Sequence, residues 1–178
     1  MLKMFTTQIS GLFKRIMDAE EFSFEDSARL LAQASIGDGT IYIQGFGEMK
    51  GIVSEAMDGQ EPFPNARPLD EIDLINITLA DRVLLFARHS TDEDAIKLAR
   101  QLQDSRIPFT AVSTVIDSSD ESLQELADVH IDLRLQKGLL PDETGNRIGF
   151  PSLMAALYVY NCLKFTLEEI LTEFEELD

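Results

Sequence analysis

The sequence predicts an α/β fold: a three-layer αβα sandwich on a mostly parallel, five-stranded sheet. Three observations predict it. Short apolar runs at Thr40–Ile43, Arg82–Ala87 and Pro108–Ser113 alternate with stretches whose apolar residues return at helical spacing. The middle run, Arg82-Val-Leu-Leu-Phe-Ala87, is apolar almost without a break, as a strand covered on both faces reads. Repeated strand–helix units with short connections place such strands in parallel between two layers of helix. The 178 residues, 44% of them hydrophobic, suit a single domain with a full core. Within it we expect N-terminal helices over 1–36, an α/β core over 39–135 and a C-terminal helix over 151–177.

Residues 4–19 place Phe5, Ile9, Leu12, Phe13 and Ile16 on one face of an amphipathic helix whose apolar stripe needs a partner. Ser23 with Asp26 three residues on has the form of an N-cap. It predicts a second helix from Phe24 to about Ser35, ending near Gly37. Thr40–Ile43 is the first strand. Gly45 and Gly47 interrupt it, and from Glu48 onward Ile52, Val53, Ala56 and Met57 follow helical spacing. A strand that enters a helix through a glycine turn leaves bare backbone N–H groups at the helix N-terminus. Such a corner seats an anion, most often a phosphate.

Asp58–Pro68, with Gly59, Pro62, Pro64 and Pro68, reads as a loop that holds a short edge strand near Ala66–Leu69. Leu74–Leu79 shows no clear period. Arg82–Ala87 is the second strand, and the helix after it runs from Asp92 to about Asp104, with Asp92, Glu93 and Asp94 suiting its positive end. Pro108–Ser113, a short helix over Ser122–Asp128 and an alternating edge strand over His130–Leu135 complete the core. Residues 136–150 read as a loop. Pro151 then opens a helix that is apolar nearly all round from Leu153 to Phe165, suited to burial in the core and between subunits. Cys162 lies inside that run and reads as an inert buried thiol. Six acids between Glu168 and Asp178 oppose the negative end of this helix, so the tail is expected to fray or to meet a basic surface.

Composition narrows the function. Lys and Arg number 15 against 32 Asp and Glu, a formal charge of −17 that repels nucleic acid and anionic lipid. A phosphate site in that field needs local donors. One cysteine excludes an internal disulfide and fits a reducing compartment. No run is long and apolar enough to span a bilayer, and polar residues break the N-terminal stretch, so the cytoplasm is expected. No cofactor is expected either. The sixth place of a dinucleotide fingerprint starting at Gly45 is Lys50, and a P-loop and a serine nucleophile elbow are absent. Two histidines and one cysteine do not make a dedicated zinc site, so no metal is expected.

In a parallel sheet, ligands sit at the carboxyl ends of the strands, where the turns Gly45–Lys50, Arg88–Thr91 and Ser113–Thr114 collect. Three segments there resemble the SIS (sugar isomerase) domain family. Gly39-Thr-Ile-Tyr-Ile-Gln-Gly-Phe-Gly47 looks like its opening strand and Gly-x-Gly-x-Ser turn. Asp81-Arg-Val-Leu-Leu-Phe-Ala-Arg-His-Ser-Thr-Asp-Glu93 looks like its second motif, an acid leading a strand into a Ser/Gly/Thr phosphate turn. Phe109–Thr114 with Ser122–Ile131 is similar to its closing strand and helix. Single-domain, phosphoheptose isomerase-like members are nearest in length. The resemblance implies a flavodoxin/SIS-like fold, a sugar-phosphate ligand and a homodimer or higher homo-oligomer. It also implies aldose–ketose isomerisation, or a regulatory or protein-interaction role on the same fold.

The departures are specific. The serine of the first turn falls on Met49, which cannot bond a phosphate, and Arg88 and His89 occupy the serine and glycine places of the second. Carried over by the resemblance as phosphate ligands are Thr91, Ser90, and Ser113 or Thr114, beside the Gly45 and Gly47 turn. Arg88 compensates as a bidentate anion ligand, unless it pairs with Asp92 or Glu93. The helix after Pro151 lacks the histidine that phosphoheptose isomerases use. Isomerisation needs a base and a group that polarises a carbonyl, and Glu48, His89 and Glu143 are the candidates near the rim. Glu48 also reads as a helix N-terminal acid, and His130 as structural.

Overall fold

The computed structural model describes residues 1–177, and the side chains of all of these except 71–73. Helix α1 (Leu2–Ile36) precedes strand β1 (Ile41–Gly45). A 3-10 turn (Gly47–Met49) then leads into α2 (Lys50–Asp58) and β2 (Ala66–Pro68). α3 (Glu71–Asn76), β3 (Arg82–His89), α4 (Glu93–Asp104), β4 (Phe109–Thr114), α5 (Leu123–Leu126) and β5 (Val129–Asp132) follow. A small hairpin, β6 (Leu140–Pro141) and β7 (Arg147–Ile148), leads to α6 (Ser152–Glu175).

The sheet is five-stranded in the order β2-β1-β3-β4-β5, and each of its pairings is parallel. Alternation along each strand divides the side chains between two cores. Ile41, Ile43, Leu84, Phe86, Val112 and Ile131 pack under α1, α2 and α6. Tyr42, Val83, Leu85, Phe109 and Ala111 pack under α4 and α5, with Leu74 of α3 against them. The expected three layers are therefore present, with β5 at one edge and β2 at the other.

Two expectations give way. The N-terminal region is one helix, Leu2–Ile36, and not two. Its buried positions Ile9, Leu12, Ile16, Glu20, Phe24, Ala28 and Leu31 continue in steps of three and four through the supposed break. Glu20, 6% exposed, keeps the stripe unbroken because Arg134 meets its carboxylate at 2.6 Å. A capping pattern without a glycine or proline does not end a helix whose buried face runs on. The second correction is Cys162, which is half-buried beside Tyr158 and not sealed in the core. Burial raises its thiol pKa, opposed by a hydrogen bond with Tyr158. The stretch with no clear period begins inside α3, the loop after residue 136 contains the β6–β7 hairpin, and α6 stays helical to Glu175. Asp178, the last acid of the tail, lies outside the described residues.

Candidate functional site

Strand order reverses direction at β1, since β2 lies on one side of it and β3 on the other. The connections after β1 and after β3 run over opposite faces of the sheet, through α2 and α4 respectively. A crevice opens at such a point, outside the carboxyl ends of the two strands. Here it is a cavity of about 200 Å³ lined by Phe46, Gly47, Glu48, Arg88, His89, Thr91 and Asp92. Two turns build it. In the first, Gly45 is obligatory because a Cβ there would collide with the Met49 carbonyl, and Gly47 takes a left-handed φ of +57°. These two residues let the chain fold back so tightly that Met49 turns its side chain wholly into the core.

The second turn follows β3. Pairing with β4 is irregular between Phe86 and His89, and both Arg88 and His89 line the cavity where strict alternation would separate them. Arg88 meets Glu48 as a fork, Nε donating to Oε1 at 2.7 Å and Nη2 to Oε2 at 2.7 Å. Its partner is thus an acid on the neighbouring turn, not Asp92 or Glu93. The guanidinium hydrogen bond holds the Glu48 carboxyl below its ordinary pKa, and the same bond raises that of Arg88. Asp92 caps α4, its Oδ1 accepting from the Ala95 N–H at 3.1 Å.

The remaining candidates lie elsewhere. Ser90 is fully buried: its Oγ accepts from the Ile116 N–H at 3.0 Å and its N–H donates to the Thr114 carbonyl at 2.9 Å, tying the end of β3 to β4. Ser113 is fully buried too, with its Oγ 2.7 Å from Nε2 of His130. Thr114 is buried, and neither it nor Ser113 lines the cavity. Glu143 is exposed in the turn between β6 and β7, away from the cavity lining. Lys50 is exposed and does not line it either. The structure adds Phe46 and Asp92. The sequence signal for Asp92 is its place directly after Thr91, where it reads as a helix-end acid and as a candidate partner of Arg88.

A larger groove, about 330 Å³, runs between α1 and α6, lined by Met17, Phe24, Cys162 and Phe165 with Glu21, Glu25 and Glu169. It has acids but no cation among its lining residues, so it offers nothing to hold an anion. Among the described residues no group of His, Cys, Asp and Glu is placed to hold a metal ion, and no helix is long and apolar enough to cross a membrane.

The fold is shared with proteins that handle phosphosugars. It matches Escherichia coli CFT073 c3406, solved in complex with a sugar phosphate, at TM-score 0.70 and 14% identity, over 96% of this chain and 89% of that one. It also matches a phosphoheptose isomerase from Francisella tularensis at TM-score 0.62 and 13% identity, over 93% and 94% of the two chains. At these identities the likeness establishes the fold alone, an α/β fold of the SIS type. By sequence, the chain belongs to the family described as "Domain of unknown function (DUF2529)", whose model matches residues 1–171. The Bacillus subtilis (strain 168) "Uncharacterized protein YwjG" is 45% identical over 174 residues, 98% of this chain and 99% of that one.

Proposed function

We propose that this chain binds a sugar phosphate at the β1/β3 crevice, with Arg88 as the principal anion ligand and Thr91 and the Gly45–Lys50 turn beside it. One observation carries the reading: the strand-order reversal brings a glycine turn, a guanidinium, an imidazole and a hydroxyl around one cavity. The sugar-phosphate complex of c3406, on the same fold, supports this ligand class. The cavity is small for a whole drug-sized ligand and suits a phosphate with part of its sugar. His89 and Glu48 are the groups placed to move a proton on a bound sugar. Ser90 and Ser113 serve by holding the turns in place, and Glu143 would take part only from the hairpin. Because Met49 stands where the resemblance expects serine, we assign binding with altered or lost isomerase chemistry.

We also propose a homodimer through the α1/α6 face. These helices run in the same direction, Phe13 stacking on Tyr158 at 4.5 Å and Phe24 lying by Phe165 further along. A two-fold copy would bring the exposed Lys3 and Lys14 opposite the acids of its partner's α6 end, and would cover Met17 and Phe165, 43% and 52% exposed. Sedimentation should show a dimer that Phe165→Asp dissociates, and a wild-type monomer would refute the proposal.

Thermal melting against a panel of sugar phosphates tests the binding function. A ligand at a hundredfold excess over its dissociation constant stabilises the fold by about 2.7 kcal/mol, so its midpoint shift is plain to see. The shift should occur for a phosphorylated sugar, not for its unphosphorylated parent, and should vanish in Arg88→Ala. The alternative, a regulatory module that no longer takes an anion, draws on the carboxylate already paired with Arg88. A panel without any shift would favour it.

A further inference from the structure

We propose that Glu48 is an internal competitor for the anion seat: its carboxylate holds Arg88, and a phosphate ester binds by displacing it. The inference rests on the phosphosugar reading above and concerns how that site is regulated. The contact has the geometry of the ligand it would exclude. Glu48 takes the Nε and Nη2 edge of the guanidinium through two parallel hydrogen bonds of 2.7 Å, the edge that grips two oxygens of a phosphate. The same carboxylate accepts a hydrogen bond from its own backbone N–H in the glycine turn. It therefore uses both kinds of donor that the seat offers.

Three features make the pair exchangeable. The side chain of Arg88 is 56% exposed and that of Glu48 31%, so water competes for both and the pair adds little to stability. Glu48 lines the open cavity of about 200 Å³, so its carboxylate has free space beside it to move into. Among the described residues, the Glu48 carboxylate bonds to Arg88 and to its own backbone, both at the rim of the cavity. Arg134, by contrast, holds Glu20, which is 6% exposed in the α1 stripe. Asp92, the second acid of the lining, adds repulsion that the incoming anion must meet. A carboxylate ligand would merely replace one monoanion by another. A phosphate ester, with charge of about −1.5 to −2 near neutral pH and three strong acceptor oxygens, has the advantage over Glu48.

Apparent affinity falls in proportion to the fraction of molecules whose seat is open. If Glu48 holds Arg88 in about nine molecules of ten, removing its carboxylate should tighten binding about tenfold. The test is calorimetric titration of inorganic phosphate into wild type, Glu48→Gln, Glu48→Ala, Arg88→Ala and the double variant Glu48→Gln/Arg88→Ala. Both Glu48 variants should bind about tenfold more tightly than wild type, with the gain lost in the double variant. Equal affinity in wild type and both Glu48 variants overturns the competitor and leaves the binding site standing. Weaker binding in the variants also overturns it, since Glu48 would then be positioning Arg88. A gain that survives in the double variant overturns it too, because loss of a negative charge alone would explain it. Absence of phosphate binding in every protein overturns the phosphosugar reading and the competitor with it. Melting curves of all five proteins report whether each is folded.

Discussion

Strand β3 carries an arginine at each end, and the two are held in opposite ways. Arg82, at the amino end, is 9% exposed: Nη1 donates to the Leu79 and Asp81 carbonyls at 2.9 and 2.6 Å, and Nη2 to Oε1 of Gln33 at 2.6 Å. Beside it Asp81 accepts from the backbone N–H groups of Thr40 and Thr78 at 2.8 and 2.7 Å, and from the Thr78 hydroxyl at 2.9 Å. That corner ties β1 to the approach of β3 and is a structural joint. Arg88, at the carboxyl end, has a half-exposed side chain in a two-point contact with Glu48. The same residue type serves the fold where two backbone carbonyls and Gln33 hold its terminal nitrogens under cover, and is open to a ligand where its partner is an exchangeable carboxylate at a cavity mouth.

The comparison is sharpened first at the amino end. Asp81→Ala removes the acceptor of two part-buried backbone N–H groups and of the Thr78 hydroxyl. At the low end of the roughly 1–3 kcal/mol that each fully buried loss costs, urea unfolding should show a stability lower by about 2–3 kcal/mol. Its folded fraction should bind ligand as wild type does. A change in affinity without a change in stability would break the division between the two ends.

The part-buried pair of Ser113, near the carboxyl end of β4, and His130 shows that cover, not the end of the strand, decides. His130 lies against Ser113, and burial pushes its pKa from 6.5 down to about 4 against the opposing pull of Asp132. The fold keeps this imidazole neutral, whereas the unfolded chain takes up a proton as pH falls below 6.5. Stability is therefore retained above that pH and lost as pH falls toward 4, by roughly 2–3 kcal/mol at about 1.4 kcal/mol per pH unit. Denaturant midpoints of wild type and His130→Asn across this range should converge in acid. Parallel profiles would show that the histidine plays no part.

The smallest effect falls on the other arginine. Arg88→Ala should lower stability by less than about 1 kcal/mol, as expected for an exposed pair, while anion binding is lost. A loss of several kcal/mol would make Arg88 a second Arg82.

Much of this was legible in the residues. The strands over Arg82–Ala87 and Pro108–Ser113 declare themselves by their apolar runs, and the short edge strand at Ala66–Pro68 appears where proline-punctuated sequence allowed one. The glycine turn, Arg88, His89 and Thr91 were readable as a group because parallel sheets collect strand ends. The Glu48–Arg88 contact was not. The two residues stand 40 apart, and only the neighbouring of β1 and β3 brings them together. The continuity of α1 was hidden for a related reason: Glu20 looks like a surface residue until Arg134, distant in sequence, covers it. Ser90 and Ser113 carried the right chemistry for a phosphate turn, but their burial depends on how β4 and α5 close over them.

The central claim, an anion site at the β1/β3 crevice, is tested most directly by following backbone amide and arginine Nε resonances as a sugar phosphate is titrated. Saturable shifts are expected at Gly47, Glu48, Arg88, His89 and Thr91, with the Arg88 Nε signal moving most. Shifts confined to the groove between α1 and α6, or a crevice that does not respond to any sugar phosphate, would contradict it.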